Sequence, residues 1–498
     1  MPERDDTLDG PLLPMEMEGE SPQKRGHSWL KSSKTRLTLL GGLVFSILLL
    51  AALFWLKRPP TPPPQEDMDL DVPPLYHSLF EAQRKLPQHD MSLLFPEGAN
   101  GRYVKFTSQS GARLLGWNNV FTELLLHNYL SYKARRGYVF GDYLWAPSHY
   151  PWPENNITLE NPARTPISAI ISGPTAGGPW PPGDPAPRAI HEQHWPLVCP
   201  PEKVKQIWTS TVKDQYNIRR NGSATYIFNI WKKILLEEPA QCVEVMQPAI
   251  EDDPWPEVFD MWLVGFDRLL DFWDEFRGSL VSQLLGPSPV VQRALERNVH
   301  LFQTPDSEHR DPFSRVLAVH IRRGDYEWHC GHLANWNFGF YGWNQLPWLP
   351  DRFVLPSGGE PNNNTEENIE KFKLHCLPEM DQIIKRIEGA REDWEKDVFV
   401  GKALDSHYIN TIFVLTNASP EWHDEFVEKL KHDHKWRVVT SHDIVFGNSQ
   451  EKDVGMAVDM ELARRAGIFL GNGWSSFTSN IIHQRLVDKK SVLSNRFF

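Results

Sequence analysis

The 498-residue chain carries only four cysteines, Cys199, Cys242, Cys330 and Cys376, and none stands in the C-x-x-C spacing of a zinc site. It also lacks a basic surplus. With 52 Lys and Arg against 64 Asp and Glu, the formal charge is −12, so no basic stripe exists to neutralise phosphates and a nucleic-acid partner is excluded. No internal repeat is evident. Long apolar runs are equally scarce. One stretch, 37–56 (LTLLGGLVFSILLLAALFWL), holds 20 consecutive residues without a charge.

At about 1.5 Å per residue that run crosses the roughly 30 Å hydrocarbon core of a bilayer. A helix there satisfies its own backbone, and Trp55 sits near one edge, where an indole favours the headgroup level. A cleaved signal peptide fits poorly, because Lys57, Arg58 and prolines follow instead of small residues. Lys24, Arg25, Lys31, Lys34 and Arg36 precede the run, and Glu66, Asp67, Asp69 and Asp71 lie beyond it. That bias keeps the N-terminus cytosolic and sends the bulk of the chain to the secretory lumen. The expected order is therefore a disordered tail over 1–36, an anchor over 37–56 and a Pro-rich acidic stem over 57–95. A single-pass type II membrane protein of the Golgi follows from the ordinary anchor length, with the endoplasmic reticulum as the alternative.

A lumenal address suits the cysteines. An even count predicts two disulfides; three connectivities are possible, and sequential pairing is the expectation. Four N-x-S/T sequons, at Asn156, Asn221, Asn363 and Asn417, mark candidate glycosylation sites.

Beyond the stem, α/β units are legible. Residues 102–107 alternate like a strand, a helical pattern follows Gly116 and runs to about 132, and 138–140 reads as another strand. Residues 258–276 place Phe259, Leu263, Phe266, Leu270 and Trp273 on one helical face. Ser288-Pro289 opens a further helix. Later, strands are expected over 316–321, 412–415, 436–439 and 468–470. They alternate with helices opened by Ser419-Pro420, over 454–466 and over 477–486. Such alternation implies doubly wound parallel sheets, in which ligands bind beyond the carboxyl ends of strands. The expectation is two Rossmann-like domains, 96–310 on the acceptor side and 311–498 holding the donor.

Three stretches fall just past expected strands. In VHIRRGDY, an apolar strand runs into His320, Arg322, Arg323 and Asp325, and the guanidinium fork suits a pyrophosphate. A solvated ion pair with Asp325 and an adhesive Arg323-Gly324-Asp325 tripeptide are the alternatives. In DMELARRAGIFLGNGWSSFTSN, Asp459 sits on a helix. Gly471 and Gly473 then turn the chain so that Ser475, Ser476 and Phe477 open a helix whose free amides can hold phosphate. In GWNNVFTE, Gly116, Asn118 and Asn119 open a helix in the same manner, short of Glu123.

Together these motifs resemble the GDP-fucose-dependent fucosyltransferases of GT-B architecture, which include the protein O-fucosyltransferases and the α1,6-fucosyltransferases. His320, Arg322, Arg323 and Asp325 match the H-x-R-R-x-D type motif. Asp459, Phe469-Leu470-Gly471-Asn472 and Ser475-Ser476-Phe477 match the late motif, and Gly116, Asn118 and Asn119 the early one. The resemblance implies a GDP-fucose donor, with Arg322 on its β-phosphate and Asp459 and the Ser475–Phe477 turn holding the rest of GDP. The expected reaction is an inverting, metal-independent transfer to a protein or glycan hydroxyl. The family uses no one conserved base, and Glu123, Asp325 and Glu327 are the candidates in this sequence. Residues 327–378 depart from the family as a Trp- and Asn-rich insertion, assigned to the acceptor side. Another deoxysugar nucleotide, or a non-catalytic carbohydrate-binding or adhesion protein, is the alternative.

Overall fold

Apolar runs of four to six residues become the central strands of two parallel sheets. In the computed structural model, residues 69–108, 115–153, 157–158, 161–218, 222–303, 311–360, 362–400 and 408–498 are described. The first sheet comprises β1 (Tyr103–Ser108), β2 (Gly137–Phe140), β3 (Ile190–His191), β4 (Val204–Trp208) and β5 (Cys242–Gln247), in the order β3-β2-β1-β5-β4. The second comprises β6 (Val316–Ile321), β7 (Thr411–Thr416), β8 (Arg437–Thr440), β9 (Ile468–Gly471) and β10 (Asn495–Phe497), ordered β8-β7-β6-β9-β10. All eight pairings are parallel. Every residue of β6 and β9 is buried, as strands covered on both faces must be.

The longer helices are α1 (His77–Arg84), α2 (Trp117–Lys133), α3 (Ala224–Glu237), α4 (Pro289–Asn298), α5 (Tyr326–Asn335), α6 (Glu366–Cys376), α7 (Met380–Val398), α8 (Pro420–His432), α9 (Gly455–Arg465) and α10 (Ser476–Val487). The expected caps form: the Ser288 hydroxyl accepts from the Val291 amide at 3.0 Å, and Ser419 from Trp422 at 3.4 Å. In each sheet the strand order reverses beside the central strand, between β1 and β5 and between β6 and β9. These reversals are where a parallel sheet opens a crevice for ligand.

Two expectations need correction. The helix over 258–276 is broken into Met261–Val264, a 3-10 turn over Asp267–Phe272, and Trp273–Arg277. Gly265 is a poor helix former, and Phe266 is extended at φ −121° and ψ 166°, so the apolar face is delivered in pieces. The stem ends earlier than residue 95. Tyr76 is buried, its hydroxyl donating to Asp453 Oδ2 at 2.7 Å, and buried Gln88 donates to the Gly177 and Ala189 carbonyls.

Both disulfides pair sequentially, Cys199–Cys242 and Cys330–Cys376. The second ties α5 to α6 within the 327–378 insertion. Among the described residues no helix is long and apolar enough to cross a membrane. The expected tail and span, Asn156 and Asn221 lie outside them, while Asn363 and Asn417 are exposed.

Candidate active site

A cavity of about 650 Å³ lies beyond the carboxyl ends of the central strands, within the size range of small-molecule sites. Its wall joins the three motifs: Gly116, Asn118 and Asn119 after β1, Arg322 and Asp325 after β6, and Ser475, Ser476 and Phe477 after β9. The register explains the meeting. His320 pairs with Gly471, so the turns that follow β6 and β9 leave the second sheet side by side at its strand reversal.

Arg322 is held by Asp325, Nη2 to Oδ2 at 2.6 Å, with the guanidinium 5.0 Å from the Tyr326 ring centroid. Its Nε is buried and has no hydrogen-bond partner among the described residues, a donor left over for an anion. Asn417 fixes this turn. Its Nδ2 donates to Asp325 Oδ1 at 2.8 Å and to the Arg323 carbonyl at 3.0 Å, while its Oδ1 accepts from the Arg323 amide at 2.8 Å. Gly324 supplies the left-handed bend at φ +59°.

Arg323 does not enter the cavity. Its guanidinium reaches the Pro378 carbonyl and lies 4.7 Å from the Trp422 ring centroid, which removes it from an adhesive tripeptide. Nor does His320 line the wall. It shares a 3.0 Å hydrogen bond with the Thr478 hydroxyl and packs on Phe477, and burial pulls its pKa down to about 3, so it is a neutral brace behind the turn.

The β9 turn is built for close approach. A Cβ on Gly473 would collide with the buried Phe340 ring, so only glycine lets the chain pass there. Ser475 caps α10 without spending its side chain on the helix, leaving the hydroxyl and the first amides of α10 at the cavity wall. Across the cavity, Asn480 donates to the Asn118 carbonyl at 2.8 Å and accepts from Thr122 at 2.9 Å. This pair locks the start of α2 to α10.

Asp459 does not line the cavity; its carboxylate accepts from the Ser441 hydroxyl at 2.8 Å. Burial pushes its carboxyl up to about 7, against the opposing pull of that hydrogen bond. Glu123 belongs elsewhere. It lines a second cavity of about 320 Å³ at the end of the first sheet, with Gln247 donating to it at 3.5 Å. Of the three candidate bases, Asp325 lines the first cavity; Glu327 is exposed on α5. Asp142, His191 and Glu192 bring ligand atoms within 4.8 Å at the ends of β2 and β3. Gln83 and Arg164 already engage these carboxylates, at 3.1 Å from Asp142 and 3.4 Å from Glu192 respectively.

Sequence reasoning missed Asp453. This buried carboxylate lines the first cavity and accepts from Tyr76 at 2.7 Å, Thr165 at 2.7 Å and Trp152 at 2.8 Å. Its neighbour Lys452, also in the wall, stands 4.7 Å from the Trp152 ring centroid. No short-range pattern announces either contact.

No family model matches the chain, and no curated protein matches it. Among solved structures it is similar to POFUT1 in complex with GDP-fucose, at 16% identity over 78% of this chain and 95% of that chain, with a TM-score of 0.45. It is also similar to NodZ α-1,6-fucosyltransferase soaked with GDP-fucose, at 12% identity over 78% and 92% of the two chains, with a TM-score of 0.37. At that level of identity and superposition neither likeness assigns a donor or an acceptor.

Proposed function

We propose that the chain is a fucosyltransferase of GT-B architecture that moves fucose from GDP-fucose to an acceptor hydroxyl, held in the Golgi membrane as a type II protein. One observation carries the reading. The cavity wall combines the Arg322 guanidinium, whose Nε has no partner among the described residues, with the Ser475 hydroxyl and the first amides of α10. A forked cation beside a helix N-terminus is a pyrophosphate-binding arrangement. Residues 311–498 would hold the donor, and the acceptor would enter from the side of 96–310 and of the 327–378 insertion.

In this reading the bond from the anomeric carbon to the β-phosphate oxygen breaks ahead of attack. The acceptor oxygen enters from the opposite face, so the configuration inverts, and GDP leaves with the bonding electron pair. Arg322 and the α10 amides meet the charge that develops on the leaving phosphate, the role a metal fills elsewhere. Asp325 is the carboxylate placed to take the acceptor proton, once the arriving phosphate draws Arg322 from it.

Full-length protein incubated with GDP-fucose should release fucose and GDP by slow hydrolysis. Arg322→Ala should lower that rate by roughly two to three orders of magnitude, the usual cost of removing one preorganised donor to a developing oxyanion. Hydrolysis that survives the substitution would refute the assignment.

A further inference from the structure

The aromatic face of α5 is not used by the donor reading. This helix starts at the Arg322 turn and carries Trp328, His332 and, as its C-cap, Trp336 at successive turns of one face. Trp328 is 71% exposed and Trp336 45%, both exposed large apolar side chains. The His332 ring bridges them, 4.0 Å from Trp328 and 5.8 Å from Trp336. Both indoles also line the cavity that holds Arg322, so this face continues the candidate site. Leu333 and Cys330, on the opposite side of the helix, are buried, and the Cys330–Cys376 disulfide anchors it to α6. The platform is therefore rigid, and its rings meet water at a cost unless something covers them.

The geometry points to a neutral oligosaccharide acceptor whose sugars stack on Trp328 and Trp336 while its reacting hydroxyl reaches Asp325. This rests on the reading of the cavity as a fucosyl-transfer site and adds the acceptor class. Flat π faces are electron-rich, and the C–H face of a pyranose is weakly positive, so the two attract while the sugar hydroxyls stay hydrated at the ring edges. The indoles lie eight residues apart, about 12 Å along a helix, which is longer than one pyranose and calls for a chain of sugars. His332 between them offers hydrogen bonding where an aliphatic-lined peptide groove would have a branched apolar side chain. Two indoles and an imidazole are also far less than the roughly 800 Å² that a folded partner covers on each side. The −12 charge of the chain and the exposed Glu327 beside Trp328 disfavour anionic lipid.

The test uses full-length protein on a printed array of neutral oligosaccharides of increasing length and of unglycosylated peptides, with no donor present. Oligosaccharides should bind and monosaccharides should not. Trp328→Ala and Trp336→Ala should each weaken binding by about tenfold or more, and Trp328→Phe should retain most of it. Near-ultraviolet circular dichroism checks that the variants fold, as expected for exposed side chains. Absence of oligosaccharide binding, binding indifferent to both indoles, or peptides bound through them would each overturn the inference. A GDP titration of the same protein separates the two claims. If GDP binds and no oligosaccharide does, only the platform falls; if oligosaccharides bind through the indoles and GDP does not, the transfer reading falls.

Discussion

Asn417 holds Asp325 in place: its side-chain amide donates to the Asp325 carboxylate at 2.8 Å while also bracketing the Arg323 peptide. Asp325 in turn holds Arg322 at 2.6 Å. The residue that sets the guanidinium thus sits on a different strand end, after β7.

Because Asn417 opens an Asn-Ala-Ser sequon, this geometry makes a chemical prediction. Both hydrogens of its Nδ2 are committed to Arg323 and Asp325. Peptide mapping of protein from a secretory host should find Asn417 bare, whereas exposed Asn363 is free to carry a glycan. A glycan on Asn417 in active protein would contradict the account. Asn417→Ala should reduce turnover of GDP-fucose about tenfold with only a modest loss of stability, since water can take over the three exposed bonds it removes.

Asp459 gives a pH signature. Burial raises its carboxyl from 3.8 to about 7 in the folded chain, so the folded state holds this proton more tightly than the unfolded state. The stabilisation is complete below the unfolded value and is lost as pH rises through the folded one. Asp459→Asn, which keeps the neutral form, should melt above the wild type at pH 8, and the gap should close toward pH 4. A gap that is constant with pH would show that Asp459 titrates normally.

Asp453 joins three distant segments through Tyr76, Trp152 and Thr165. Asp453→Ala removes a charged acceptor from all three donors and should cost about 3 kcal/mol or more in denaturant unfolding, because three buried charge-assisted bonds are lost together. Loss of less than about 1 kcal/mol would mean the cluster is not a structural anchor.

Gly473→Ala should be destabilising through overpacking against Phe340, by about 1–3 kcal/mol. It should also weaken GDP binding, because the same turn sets Ser475. Unchanged melting and binding would show that the turn relaxes freely.

Much of the second sheet was legible because β6, β7 and β9 are mostly apolar runs followed by Arg-Gly-Asp, Ser-Pro or Gly-Asn-Gly signals. The strand β5, Cys-Val-Glu-Val-Met-Gln, went unread although its Val-Glu-Val alternation is strand-like; pairing with β1 along six residues places it in the sheet. The break at Gly265–Phe266 was hidden by good helical periodicity on both sides. At the site, Arg322, Asp325 and Ser475–Phe477 were visible as charge and glycine placed after strands. Asp453 was invisible because its partner Tyr76 lies 377 residues away. The inward turn of Arg323 was equally hidden, for it depends on Trp422 and Pro378.

The most direct test of the donor site is isothermal titration of full-length protein with GDP, for the wild type and for Arg322→Ala. The account predicts saturable binding at one site, weakened at least about tenfold by the substitution, as for loss of a charge-assisted phosphate contact. No binding of GDP by the wild type, or equal affinity in the two proteins, would contradict it.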